Sequence, residues 1–258
     1  MIEQALLNKK VSELLGVIHS KRLATLKRLT LSILLNKNPY LYQSHGHSRP
    51  EEFIDALLAA RISSSDETIF GNDFFEPLAL WAAQAANIEG RTVSVSDAAG
   101  ADITITDSSF YYAIAVKSGT NIFNSQSTLG QNTEFTATQG RMKKLGKSFL
   151  PLIGYGYGRK KHDPEAAVDK KAGQDFWQLL TGEVDFYLRI SNAINTCAGK
   201  NKIVYDHAYE TLRSSLVKEF MIDYTDPIGQ IDWQKLVAFN SATVKPKKYR
   251  STLIKLSP

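Results

Sequence analysis

Apolar residues recur at three-to-four spacing through residues 3–35, where Leu6, Leu7, Leu14, Leu15, Ile18, Leu26, Leu29 and Ile33 predict one long amphipathic helix. Asn38-Pro39 closes it, because the residue before a proline avoids the α region. A loop carrying His45, Gly46 and His47 follows, and Arg49-Pro50-Glu51-Glu52 opens a helix to about Ile62. The polar run Ser63-Ser64-Ser65-Asp66 predicts a break. Phe74, Leu78, Trp81 and Ala82 then form the apolar stripe of a helix over 73–86. After it the period changes to two. Thr92–Ser96 and Asp102–Thr106 alternate as half-buried strands do, with a tight turn near Asp107-Ser108-Ser109. Phe110–Val116 is a denser apolar run suited to a central strand. Residues 148–157 hold another strand candidate, in which Pro151 predicts an edge position or a strand start. From about Glu165 the pattern is helical through Phe176, Leu179 and Leu180, then 186–194, then 203–222.

Helices, then strands, then helices with no visible linker predict an α/β chain built on one mixed sheet. The expected organisation is a single domain over 1–258: a helical segment over 1–62, a core at about 63–160, a helical segment over 161–240 and a basic tail over 241–258. The 43% hydrophobic content is enough for such a core, and one cysteine among 258 residues excludes a disulfide framework or a cysteine-rich zinc module. No apolar run approaches the ~20 residues that span a bilayer, and the N-terminus lacks a signal-peptide pattern, so a soluble, cytoplasmic protein without membrane association is expected.

Charge changes the picture further. Residues 241–258 carry Lys245, Lys247, Lys248, Arg250 and Lys255 with no acid, and residues 141–171 hold nine basic against three acidic residues. Residues 51–112 hold eleven acidic against two basic ones. An acidic block between basic ones suits a chain that holds a polyanion and needs carboxylates at one place. Asp102 opens one predicted strand and Lys117 closes the next, so a hairpin brings a carboxylate and an ammonium together. That pair suits a catalytic site, but from spacing alone a surface ion pair at strand ends is the commoner arrangement.

The layout of helix, Asp-bearing strand and strand ending in x-Lys resembles the PD-(D/E)xK nuclease superfamily. The run Lys117-Ser118-Gly119-Thr120-Asn121-Ile122-Phe123-Asn124-Ser125 resembles the KSGxNxxNS segment of type II restriction endonucleases of the PmeII-like group, which includes cutters of GGNCC-type sites. Asn38-Pro39-Tyr40-Leu41, 65–71, Gly173–Trp177 with Gly182, and Ile231–Trp233 with Phe239-Asn240 agree in order, so the resemblance covers about 36–240.

The resemblance implies a PD-(D/E)xK nuclease-like mixed sheet flanked by helices, and Mg²⁺-dependent, sequence-specific hydrolysis of double-stranded DNA by a homodimer. It assigns catalysis to Asp102 and Lys117, with Asp102 as a hard oxygen ligand for the metal. The departure is Ala115, where the family pattern has an acid two residues before the lysine. Glu76 is the candidate that compensates as metal ligand and catalytic residue, ahead of Glu67, Glu89 and Asp97, and the Val116 carbonyl is a further metal ligand. A glutamate before Pro77 in a first helical turn also suits the helix dipole with no metal. Ser118, Asn121, Asn124, Arg141, Arg159, Lys160, Lys247 and Lys248 are the expected DNA contacts. The missing acid leaves a non-cleaving DNA-binding module as an alternative, and a structure-specific repair nuclease of the same superfamily is another. His45 and His47 lack a third metal ligand, His162 and His207 lack triad partners, and Gly154–Arg159 lacks the GxGxxG spacing, its glycines suiting instead a close approach to a DNA backbone. Trp81, Trp177 and Trp233 lie on helical stripes and are expected in the core.

Overall fold

The computed structural model describes residues 1–98, 100–119, 148–161, 163, 166, 168–197, 199 and 201–243, together with Thr133, Phe135 and Gln139. The helices are α1 (Gln4–Arg28), α2 (Leu31–Leu34), α3 (Pro39–Ser44), α4 (Pro50–Phe70), α5 (Glu76–Ala85), α6 (Gln174–Thr181), α7 (Phe186–Cys197), α8 (Lys202–Tyr224) and α9 (Trp233–Ser241). Among the described residues none is long and apolar enough to cross a membrane. The strands are β1 (Thr92–Val95), β2 (Ile103–Thr106), β3 (Phe110–Lys117), β4 (Ser148–Tyr155) and β5 (Asp169–Ala172).

The chain divides into two compact units, Met1–Ile18 with Thr68–Ala198 and His19–Glu67 with Gly199–Pro258. Two of the three crossings fall inside α1 and α4, so no linker composition marks them in the sequence. The first unit carries the sheet, in the order β1-β2-β3-β4-β5. β1–β2 and β2–β3 are antiparallel, whereas β3–β4 and β4–β5 are parallel. The expected mixed α/β sheet flanked by helices is therefore present. Asp107 makes the β2–β3 turn, its Oδ1 accepting from the backbone N–H of Ser109 and Phe110 at 2.7 Å each.

β3 is buried on both faces, which explains its unbroken apolar run. Ile114 and Val116 join a cluster with Leu7, Val11 and Leu14 of α1, Leu78 and Ala82 of α5, and Phe176 and Trp177 of α6. Tyr111, Ala113 and Ala115 join the opposite cluster with Ile153, Tyr155, Val168 and Ala172. β5 pairs only with Leu152–Tyr155, so Pro151 lies in the stretch of β4 where a missing N–H costs least.

The second unit is helical. Its core joins Leu26, Leu31, Leu34, Phe53, Ile54, Leu57, Leu216, Phe220 and Leu236. Arg213 grips the Asp55 carboxylate with two nitrogens, at 2.5 and 2.8 Å.

Several expected elements are corrected. The first helix ends at Arg28, and Thr30 caps a separate turn by accepting from Ile33 N–H at 3.3 Å. Residues after Asn38 are helical, because Asn38 Oδ1 accepts from the N–H of Tyr40 and Leu41 and Pro39 suits a first helical turn. The serine run is no break: α4 passes through it, and Asp66 at its end is held by Arg22 through two contacts of 2.8 Å. In place of a helix start at Asp73, Gly71–Phe75 form one widened π turn leading directly into α5. Pro77 accounts for it, since a proline ring inside a regular helix meets the carbonyl four residues back. β5 is an addition to the expected strands, because Asp169-Lys170-Lys171 offers no apolar alternation. Trp177 is fully buried and Trp81 and Trp233 pack against the cores, as expected.

Gly154 and Gly156 serve packing rather than DNA approach. A Cβ on Gly154 would overlap the Phe176 ring and one on Gly156 the Phe75 ring, while Trp177 Nε1 donates to the Gly156 carbonyl at 2.8 Å. Phe176 is fully buried and has nowhere to move. Gly154→Ala is expected to lower unfolding free energy by about 1–3 kcal/mol through overpacking, read as a lower urea midpoint at unchanged m-value.

Candidate active site

Asp102 immediately precedes β2 and is tied to β3 twice. Its N–H donates to the Ile114 carbonyl at 2.8 Å, and its Oδ2 accepts from Val116 N–H at 2.7 Å. The carboxylate is thus held one residue from Lys117 by backbone alone. Lys117 ends β3 opposite Tyr155 of β4, and its carbonyl accepts from Gly156 N–H at 2.8 Å, so the strand that carries the ammonium is fixed on both sides. Both Asp102 and Lys117 are half-buried.

Glu76 enters from the first residue of α5. It is half-buried, and its carboxyl is pushed up from the usual 4.5 to about 7, first by burial, then by Asp102, with Lys117 opposing and Asp73 adding to the rise. The carboxyl therefore lies within electrostatic reach of both strand residues, Asp102 and Lys117. Asp73, on the π turn, is the member that sequence reading missed. Its one signal is its place three residues before Glu76, which a helical turn brings near.

Ala115 is fully buried in the apolar cluster with Ile153 and Tyr155. An acid there would be an unpaired charge in a hydrophobic core, which costs several kcal/mol or forces protonation. Glu67 lies in the second unit. Ser118 is 5% exposed and lies against Gly71 of the π turn, so it joins β3 to that turn rather than standing on the surface. Arg159, Lys160 and Lys161 are exposed beyond β4. Arg159 and Lys160 line a cleft of about 560 Å³ with Gly158, Ala172, Gln174, Asp175 and Tyr187. Asn121, Asn124, Arg141, Lys247 and Lys248 lie outside the described residues. His45 and His47 meet each other and Tyr42 in edge-on or tilted contacts, and His47 also meets Phe53, an aromatic cluster with no third ligand among the described residues.

Among the described residues no group of three or more His, Cys, Asp or Glu side chains is close enough to cage a metal. The donor set still fits a small hard cation. Magnesium takes oxygen ligands, keeps several waters and needs only one or two carboxylates from the protein, and the Asp102 repulsion that adds to the effect of burial on Glu76 is what a divalent cation relieves.

The crowding has a measurable sign. Folded Glu76 keeps a proton up to about pH 7 that the unfolded chain releases near the ordinary value. Metal-free stability therefore falls as pH rises between those two values and stays reduced above about pH 7. Glu76→Gln removes the charged form. In EDTA its melting temperature is expected to exceed the unaltered protein's at about pH 8 and to match it at about pH 4. Equal gains at both pH values would show that the crowding is absent.

Comparison with curated protein sequences finds no match. A family model, Type II restriction endonuclease EcoO109I, matches residues 5–202, which include the whole sheet and every member of the Glu76–Asp102–Lys117 cluster. The chain therefore belongs to the EcoO109I family of type II restriction endonucleases and is a site-specific deoxyribonuclease.

Proposed function

We propose that this endonuclease hydrolyses double-stranded DNA with Mg²⁺ at the end of β3, using Asp102, Glu76 and Lys117. The observation that carries this reading is the convergence of two carboxylates and one ammonium where Asp102 is clamped to Val116 N–H. Asp102 and Glu76 would hold the cation with the Val116 carbonyl beside them. Bound there, it supplies charge neutralisation on the scissile phosphate and a lower pKa for the attacking water. Lys117 orients that water and offsets the charge that builds on the phosphate oxygens. The Val116 N–H keeps the Asp102 carboxylate aimed at that position.

Arg159 and Lys160 extend the basic surface beyond β4, and with Arg141, Asn121, Asn124 and the lysines at 247 and 248 they form the proposed DNA contacts. Arginine reads guanine bidentately, whereas lysine acts as a point charge on phosphate. Ser118 supports the strand end from beneath. The run from Lys117 to Ser125 supports kinship with the PmeII-like group and a target of GGNCC type. A palindromic target of this kind is matched by a two-fold protein, so the working form is a homodimer, acting in the cytoplasm where the DNA is.

Digestion of a sequenced plasmid with and without Mg²⁺, with fragment ends mapped, tests the reading. Discrete fragments at one sequence are expected. Metal-dependent cutting by DNA structure would instead indicate a repair nuclease, and retention of DNA without cutting a binding module. Asp102→Ala and Lys117→Ala are each expected to lower cleavage on the order of a thousandfold with DNA binding largely kept. Glu76→Ala should fall far below Glu89→Ala and recover partially with Mn²⁺, which binds the same oxygens more tightly. Equal, mild effects at 76 and 89 would return Glu76 to a helix-end role.

Binding across a salt series separates the basic residues. Neutralising Lys247 and Lys248 together is expected to flatten the slope of log affinity against log salt by about 0.9 for each phosphate that those side chains neutralise. Arg159→Ala should cost ~1–3 kcal/mol on the cognate duplex and much less on a scrambled one. An equal weakening on both would make Arg159 a backbone contact.

A further inference from the structure

Tyr157 lies against the backbone that follows Lys117 and beside Phe75, and has no role in the machinery described so far. It follows β4 by two residues, and its N–H donates to the Ser118 carbonyl at 3.1 Å, one step beyond the Lys117–Gly156 bond. Its ring lies against Gly119, where an added Cβ would overlap the phenol carbon and oxygen, and its centroid is 6.2 Å from that of Phe75, the neighbour of Glu76. The ring thus bridges the two elements that deliver Lys117 and Glu76. Yet the residue is 51% exposed, and among the described residues its hydroxyl makes no hydrogen bond. A half-exposed aromatic held by its neighbours, with a phenol donor beside three basic residues, is suited to an anionic acceptor.

We propose, building on the cleavage site above, that Tyr157 donates a hydrogen bond from its phenol to a backbone phosphate of the DNA lying across that site. The acceptor is phosphate rather than a base edge because three consecutive basic residues, Arg159, Lys160 and Lys161, follow Tyr157 after a single glycine. Lys160 Nζ is 5.6 Å from the centre of the Tyr155 ring, so the loop keeps its charge close to the strand. A phenol costs little to order, having few rotatable bonds, and a donor to phosphate fixes register without reading sequence.

The test is Tyr157→Phe, which keeps the ring on Gly119 and Phe75 and removes the oxygen. Binding is measured in EDTA to two labelled duplexes of equal length, one of mixed sequence and one carrying the mapped plasmid cut site. Affinity for both is expected to fall alike by about tenfold, as for a hydrogen bond to a charged partner. The salt slope should not change, because a neutral donor displaces few counterions, and the melting temperature should stay the same. Gly119→Ala, whose methyl group pushes the phenol aside, should lower affinity similarly and add little in the Tyr157→Phe background.

Unchanged affinity in Tyr157→Phe would overturn the proposal, as would a weakening confined to the cut-site duplex, which would mean a base contact. A flattened salt slope would overturn it too, by showing that the variant displaced the cationic loop. These readings need no turnover. If Asp102→Ala and Lys117→Ala cut normally, the catalytic assignment fails on its own, independently of the binding result.

Discussion

The backbone N–H of Val116 reaching the Asp102 carboxylate is the contact on which the rest of the site depends. It exists only if β2 and β3 pair in one register, because a slip of one residue would turn β3 over and offer Asp102 a different amide. Two features fix that register. Asp107 closes the hairpin turn with its own side chain, and the two faces of β3 differ in size, Ala113 and Ala115 entering one cluster and Ile114 and Val116 the other, so a shifted pairing would misfit both. The central strand of the core and the strand that carries the proposed site are one element. A mutation that loosens the core on either face therefore reaches Lys117 without touching it.

Packing then determines where α5 begins. Phe75 lies against the bare backbone of Gly156, and Trp177 donates to that same glycine's carbonyl. Side chains on Gly154 or Gly156 would push α6 and the π turn away from β4, and Glu76 would move with the turn. The glycines at the end of β4 thus act on the proposed chemistry from a distance, by letting aromatic rings seat closely enough to bring a helix start to a strand end. The widened turn forced by Pro77 contributes to the same placement, since it alters the direction from which Glu76 approaches.

Much of this was legible in the sequence. Period-two alternation marks β1 and β2, a dense apolar run marks β3, and from the turn between the last two the meeting of Asp102 with the end of β3 follows. What was hidden had physical reasons. The serine run reads as a break by intrinsic propensity, but a two-point contact from Arg22 to Asp66 outweighs the few tenths of a kcal/mol per residue involved. β5 is built from an aspartate and two lysines, so backbone pairing with β4 makes it a strand and no apolar pattern announces it. Tyr157 reaches the proposed site only through tertiary packing, whereas Asp73 is brought to Glu76 by a single turn of the chain. The two units escaped notice because the chain passes between them inside helices.

Position 115 shows how the fold and the proposed chemistry constrain each other. The superfamily pattern places an acid there, yet in this chain the residue faces Ile153 and Tyr155 in a closed apolar cluster. A carboxylate at 115 would have to stay neutral or disrupt that packing, and a neutral acid is a poor ligand for a hard cation. Glu76 reaches the same neighbourhood from a helix start and is only half-buried, so it can ionise when a cation or Lys117 is beside it. Its raised pKa comes first from burial and then from Asp102, with Lys117 only partly offsetting them. The arrangement exchanges a second acid on the strand for one on the helix. That exchange leaves the strand free to be packed tightly on both faces, and tight packing holds Asp102 and Lys117 in place.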